Sequence, residues 1–232
     1  MSYRHFVFDL DGTLIDSRQD LADAANAMLA RQHLPPLPVT DIVGMVGEGA
    51  RVLVTRVLAR AGAPVDVDRA LETFLGEYDI RLAVHTREYD GVSALLAALR
   101  DAGCRLSVLT NKPQQATDRV LEALGLRAWF TDILGGDTAH GRKPEPEGLR
   151  FLVARAGIGS HETLMVGDSW VDARTAAAAG IDACLVGYGF GYAGVDETTS
   201  RAVRWHVDSP AGIMPLAHGH PPAPSTPHAT RA

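Results

Sequence analysis

Cysteine is nearly missing from this 232-residue chain, which has only Cys104 and Cys184. Two thiols are too few for a cysteine-built metal centre. Each lies beside or within an apolar, strand-like run, so they read as buried free thiols and not as a disulfide. A long apolar run is missing as well, because nothing approaches the roughly 20 residues a membrane helix needs. The N-terminal stretch carries Asp9 and Asp11 where a secretion signal would need its apolar core, so a cytoplasmic protein is expected. There is no basic excess either: 22 Lys+Arg against 28 Asp+Glu give a formal charge of −6. That argues against nucleic acid and against an anionic membrane as partners, since both select a basic face. With 46% hydrophobic and 22% charged residues, the chain has the composition of an ordinary globular protein. Its length suits one large domain, or a core domain with a smaller one inserted.

The most informative stretch is Phe6-Val7-Phe8-Asp9-Leu10-Asp11-Gly12-Thr13-Leu14, where an apolar run stops at two carboxylates one residue apart. Apolar residues ahead of a Gly-Thr turn read as a short buried strand, and open α/β sheets bind their ligands at the C-terminal ends of such strands. Residues two apart on a strand share a face, so Asp9 and Asp11 address one site if the strand runs on; if it ends between them, the turn decides. Paired carboxylates in a low-dielectric pocket repel unless a cation or a shared proton sits between them, which implies a metal. The competing explanation is a polar turn after an edge strand, built from ordinary turn residues.

Downstream, Gln19 to about Gln32 carries apolar residues at helical spacing with Ser17 as N-cap. His33-Leu34-Pro35-Pro36-Leu37-Pro38 breaks that helix. Thr40 to Ala61, interrupted at Gly44 and Gly47-Glu48-Gly49, and Val67 to Val84 read as further helices. No strand signal intervenes, as expected of an all-helical insertion. From Val92 onward helices alternate with strands at Cys104–Leu109, Ile133-Leu134, Thr163–Val166, Ala183–Val186 and Trp205–Asp208, predicting a parallel sheet with helices on both faces. Polar residues gather after the strands: Thr110 and Asn111, then Asp168 with Asp172, with Lys143 just ahead of a proline-started helix. Acidic positions, a hydroxyl and a lysine converging at one sheet edge form an inventory for phosphoryl transfer. His218, His220 and His228 lie among prolines that fix no helix to aim their rings together, so they read as part of a solvated, disordered tail and not as metal ligands.

Asp9-Leu10-Asp11-Gly12-Thr13-Leu14, Leu109-Thr110-Asn111, Lys143-Pro144 and Gly167-Asp168-Ser169-Trp170-Val171-Asp172 resemble, in order, the four motifs of the haloacid dehalogenase (HAD) superfamily. The resemblance implies an α/β fold, a Rossmann-like parallel sheet with an inserted helical cap. The core would take residues 1–16 and 87–217, the cap 17–86 and the tail 218–232. It implies Asp9 as nucleophile, Asp11 as general acid and base, Thr110 as a donor to a phosphoryl oxygen, and Lys143 as the charge that offsets nucleophile and phosphate. Mg²⁺ would be held by Asp9, Asp11, Asp168 and Asp172; for Asp172 the alternative is capping the helix that starts near Ser169. An aspartate at the Asp11 position points to phosphoryl transfer, since dehalogenases of the family lack it.

The insert is similar to the cap of the phosphoglycolate phosphatase and β-phosphoglucomutase branch. Its Gly44-Met45-Val46-Gly47-Glu48-Gly49-Ala50-Arg51 segment resembles the cap loop of bacterial phosphoglycolate phosphatases, and its glycines permit a loop reaching toward the core. Gly12, Thr13, Asn111, Gly47, Glu48 and Arg51 are the expected substrate contacts, with Arg51 as either a partner for a substrate carboxylate or a helix-surface arginine. The resemblance thus implies a phosphatase of a small phosphorylated metabolite, monomeric or homodimeric, with 2-phosphoglycolate as first candidate. A sugar-phosphate mutase, a broad small-metabolite phosphatase and a non-catalytic binding module are the alternatives.

Overall fold

The computed structural model describes residues 2–62 and 66–222. Strand β1 (His5–Phe8) is buried along its whole length, as an apolar strand in the middle of a parallel sheet must be. The chain leaves it through β2 (Ile15–Asp16) and comes back through β3 (Arg87–Glu88), and these two short strands pair antiparallel. Between them lie α1 (Arg18–Arg31), α2 (Val39–Val43), α3 (Ala50–Arg60) and α4 (Val67–Asp79).

After β3 the alternation begins: α5 (Val92–Asp101), β4 (Arg105–Leu109), α6 (Gln114–Ala123), β5 (Asp132–Leu134), α7 (Glu147–Ala156), β6 (Thr163–Gly167), α8 (Trp170–Ala179), β7 (Asp182–Val186), α9 (Glu197–Ala202), β8 (Trp205–Val207) and α10 (Met214–Ala217). The main sheet has the order β5-β4-β1-β6-β7-β8, with every neighbouring pair parallel. Side chains alternate across it. Phe6 and Phe8 join Leu106, Val108, Leu164 and Val166 in the larger core on one face, while Val7 and Met165 pack with Leu149 and Leu152 on the other. Strand order folds β1 between β4 and β6, so the ends of all three open onto one edge. No helix among the described residues is long and apolar enough to cross a membrane.

The helical segment is tied down at several points. Buried Asp20 on α1 accepts hydrogen bonds from the backbone N–H groups of His85 and Thr86 and from Thr86 Oγ1. Arg119 on α6 pairs with Asp79 at the end of α4.

Several local details depart from the sequence pattern. β2 and β3 are two residues each, too short for any periodicity to register, and the polar α9 has no apolar face to announce it. It starts at Asp196, whose carboxylate accepts from Thr199 N. α4 stops at Asp79 and does not run to Val84. Ser17 stands at the N-cap position of α1, but its hydroxyl does not cap; it donates to Asp11 Oδ1 at 2.6 Å. Both cysteines are free, Cys184 buried and Cys104 half-buried. Of the expected tail, residues 223–232, including His228, lie outside the described residues.

Candidate active site

Parallel strands put their C-terminal ends side by side, and each end here delivers a polar group. β1 delivers Asp9. The turn after it needs Gly12 at φ 88, a left-handed conformation that favours glycine. A Cβ on Gly12 would also stand 2.0 Å from Asp168 Oδ2, so this turn closes directly on the end of β6. β4 delivers Thr110, Asn111 and Lys112. β6 delivers Asp168, whose Oδ2 accepts from Gly191 N at 2.7 Å. Asp172 sits in the first turn of α8, and Lys143 lies in the loop before α7.

Lys143 is buried, with Nζ 2.8 Å from Asp9 Oδ1 and 2.6 Å from Asp172 Oδ1. Asp172 Oδ2 accepts from Ser169 N at 3.0 Å and from Ser169 Oγ at 2.6 Å, completing a capping box on α8. Asp172 thus caps its helix and holds Lys143 at the same time. Carboxylate oxygens of Asp9, Asp168 and Asp172 lie within 4.8 Å of one another, and all three residues are buried. The electrostatics follow from that crowding. Burial pushes the Asp9 carboxyl up to about 7; Lys143 pulls it down and Asp172 raises it. Burial, then Asp172 and Asp9, hold Asp168 well above the usual carboxylate range. For Lys143 burial works against the charge, but Asp172 and Asp9 overcome it and keep the ammonium above its ordinary value. Three buried carboxylates against one ammonium, all hard oxygen donors, match what Mg²⁺ selects. The Asp11 carboxylate does not join this trio. It turns instead to Ser17 and to Lys112, because its strand has ended and the Gly12 turn carries it to the cap side.

Lys112 is a site residue that motif reading passes over. Its Nζ stands 3.0 Å from both carboxylate oxygens of Asp11 and 2.5 Å from the hydroxyl of Tyr78 on α4, and it sits over the Tyr78 ring at 4.5 Å. One signal was available: the sequence contains only two lysines, Lys112 and Lys143, and both follow strands in the catalytic half. Burial pushes the Tyr78 phenol up to about 12, so it stays neutral and accepts from the ammonium.

The loop between α2 and α3 forms the roof. Asn111 Nδ2 donates to Gly47 O and to Lys143 O, each at 2.9 Å, fastening the roof to the second and third motifs with one side chain. A Cβ on Gly49 would come within 3.3 Å of Asn111 O. Beneath lies a cavity of about 60 Å³ lined by Asp9, Asp11, Thr110, Lys112 and Asp168, by Val46 and Gly47 of the roof, and by Tyr78 of α4. Thr13 is fully buried behind it, and its Oγ1 has no hydrogen-bond partner among the described residues. Glu48 and Arg51 are not brought to the cavity. Glu48 pairs with Arg56 and Arg51 with Asp68 on the outer surface, because the left-handed glycines at 47 and 49 turn the backbone inward and the intervening side chain outward.

A family model described as haloacid dehalogenase-like hydrolase matches residues 3–180. A protein of Caulobacter vibrioides named phosphoglycolate phosphatase is 37% identical over 94% of both chains. One of the same name from Rhodospirillum rubrum is 42% identical over 79% of both. Among solved structures, a predicted phosphoglycolate phosphatase from Haemophilus somnus superposes with a TM-score of 0.86 at 29% identity, covering 93% of this chain and 98% of that one. The motifs, the parallel sheet with its helical insert and these relatives agree: the chain belongs to the haloacid dehalogenase-like hydrolases, as a phosphatase of that family.

Proposed function

We propose that this phosphatase is Mg²⁺-dependent and hydrolyses 2-phosphoglycolate to glycolate and phosphate through an aspartyl-phosphate on Asp9. Its strongest support is the cavity in which buried Asp9, paired with Lys143, faces a space that Asp11 and the loop between α2 and α3 share. The relatives' shared name supports the same substrate.

In this reading Asp9 attacks phosphorus while the ester oxygen departs with a proton from Asp11; water then attacks the aspartyl-phosphate as Asp11 takes a proton back. One hard displacement becomes two easier ones, each with acid or base help from the same carboxyl. Lys143 fixes the Asp9 carboxylate and offsets charge as the phosphoryl group arrives. Thr110 and Asn111 line the cavity on the phosphoryl side, with the Gly12-Thr13 turn packed behind them. Asp9 and Asp168 are the carboxylates that would hold Mg²⁺, with Asp172, engaged by Lys143 and Ser169, in a supporting place. The cation would supply charge neutralisation at the phosphoryl oxygens. Residues 17–86 act as the cap that closes over the site and excludes water from the first step.

A phosphate-release screen over small phosphomonoesters, with and without Mg²⁺, tests the proposal. The expected result is Mg²⁺-dependent release with 2-phosphoglycolate foremost, abolished in Asp9→Asn. Release that survives in Asp9→Asn rules out the nucleophile, and equal rates on many sugar phosphates rule out the substrate. Conversion of β-glucose 1-phosphate to glucose 6-phosphate marks a mutase instead.

A further inference from the structure

We propose that Lys112 is the specificity residue of this site: its ammonium, held between Asp11 and Tyr78, binds the carboxylate that the leaving group carries. The proposal rests on the reading that the substrate is the phosphate ester of a small hydroxy acid.

Lys112 is the one cation lining the cavity among the described residues. Arginine supplies the other 20 of the 22 Lys+Arg (22 − 2), so in a chain that otherwise uses arginine this position carries a compact point charge with freely rotating donors. Its backbone is fixed: Lys112 O accepts from Gly136 N at 2.9 Å, and Gly135 and Gly136 pass so close to residues 111–114 that a Cβ on either would clash. The ammonium therefore has a set position and little room to leave it.

Chemistry places the substrate's charge beside it. Asp11 must reach the departing ester oxygen, at hydrogen-bond distance of roughly 2.6–3.2 Å. In an ester of glycolate the carboxyl carbon lies two covalent bonds beyond that oxygen, about 2.5 Å away. A cation 3.0 Å from both Asp11 oxygens spans that interval and has three N–H donors to divide among Asp11, Tyr78 and the incoming carboxylate. Arg51, the other candidate, is committed to Asp68 on the outer face. Tyr78 belongs to α4, so the same contact connects recognition of the leaving group to the position of the cap. An ester without a carboxylate would enter the cavity and find a buried positive charge with nothing to pair it but Asp11. Carboxylate esters are thereby favoured, and neutral ones of equal size are disfavoured.

The test compares 2-phosphoglycolate with ethyl phosphate, in which a methyl group replaces the carboxylate, on the native protein, Lys112→Met, Lys112→Gln and Lys112→Arg. Gln is close in length and can still hydrogen-bond Asp11 and Tyr78, so it serves if Met leaves the pocket unfolded. The native protein is expected to prefer 2-phosphoglycolate, and the ratio of the two kcat/KM values to fall roughly 10- to 100-fold in Met and Gln, the worth of a charge-assisted hydrogen bond. Arg should retain most of the ratio. In an Asp9→Asn background, which leaves the ester intact, calorimetry should show Lys112→Met weakening 2-phosphoglycolate by a similar factor and ethyl phosphate less. If Lys112 only steadies Asp11, both esters lose rate alike, the ratio holds, and the proposal is overturned while the substrate reading stands. A native protein that treats the two esters equally refutes the carboxylate substrate and this role together.

Discussion

Lys143→Met is the sharpest probe of the buried charge cluster. The substitution keeps the apolar stem and removes the ammonium that stands 2.8 Å from Asp9 and 2.6 Å from Asp172. Asp9, Asp168 and Asp172 are then left with oxygens within 4.8 Å of one another and no ammonium between them. Removing one partner of a buried pair costs about 3–5 kcal/mol. The cluster can escape by protonation, and this sets a ceiling. Neutralising one ordinary carboxyl at pH 7 means working about 3 units above its usual pKa at 1.36 kcal/mol per unit, about 4 kcal/mol. The expected loss is therefore about 3–4 kcal/mol at pH 7 and about 1.5 kcal/mol at pH 5. For a chain of this length that corresponds to a thermal midpoint lower by roughly 6–16 °C at pH 7 and roughly 3–6 °C at pH 5. The direction follows from linkage. The folded variant holds a proton its unfolded chain has released, so its stability relative to the native protein falls as pH rises. Far-UV circular dichroism melts in EDTA read both gaps, and added Mg²⁺ should narrow the one at pH 7. A gap that is the same at both pH values, or under about 1 kcal/mol at pH 7, would refute the cluster as the source of the cost.

His5 gives a pH effect far from the site. It is fully buried with Nε2 3.0 Å from Ser107 Oγ, and burial lowers its pKa from 6.5 to about 4. The unfolded chain takes up a proton below about 6.5 while the fold resists until about 4, so stability present above pH 6.5 drains away on acidification. His5→Gln should lose about 2 kcal/mol less than the native protein between pH 7.5 and pH 5 by urea titration; parallel losses would exclude His5. Gly12→Ala places a Cβ 2.0 Å from Asp168 Oδ2 at φ 88 and should lower kcat by about 100-fold; near-native turnover would mean that the turn and Asp168 are not in register. Arg51→Ala breaks only an exposed pair with Asp68, so its kcat/KM should stay within about twofold. A larger fall in KM-dependent rate would return Arg51 to the site.

Much of this architecture was legible in the sequence because its signals are strong and local. Apolar runs of four or five residues ending in Asp9, Thr110 and Asp168 fix three strands and, through parallel pairing, one edge. Weak signals failed where length or polarity removed periodicity, as in two-residue β2 and β3 and in polar α9. The site divides along the same line. Asp9, Thr110 and Asp168 are placed by the sheet, Asp172 by a helix's first turn and Lys143 by the loop before α7, and the fold brings them together. Contacts made by the insert depend on how a loop turns over the core, and no spacing within residues 44–51 says which side chain faces in. Gly47 and Gly49 reach the core through backbone, touching Asn111, while Glu48 and Arg51 point away.

Ser17 and Lys112 mark the limit of motif reading most clearly. By position Ser17 is a helix cap, yet its hydroxyl serves Asp11; by position Lys112 is a residue after a motif, yet it holds the same carboxylate. Both act on Asp11 because that carboxylate, carried past the end of β1, has no sheet neighbour to orient it and needs partners from outside the motif. A general acid and base must be held in place without being locked. In the role proposed for it, Asp11 meets that need with one hydroxyl and one ammonium, and the ammonium in turn contacts Tyr78 on α4. In the proposed mechanism the carboxyl that would protonate the leaving group is thereby connected to the helical insert, which is the arrangement a phosphatase needs if proton transfer is to wait for the roof.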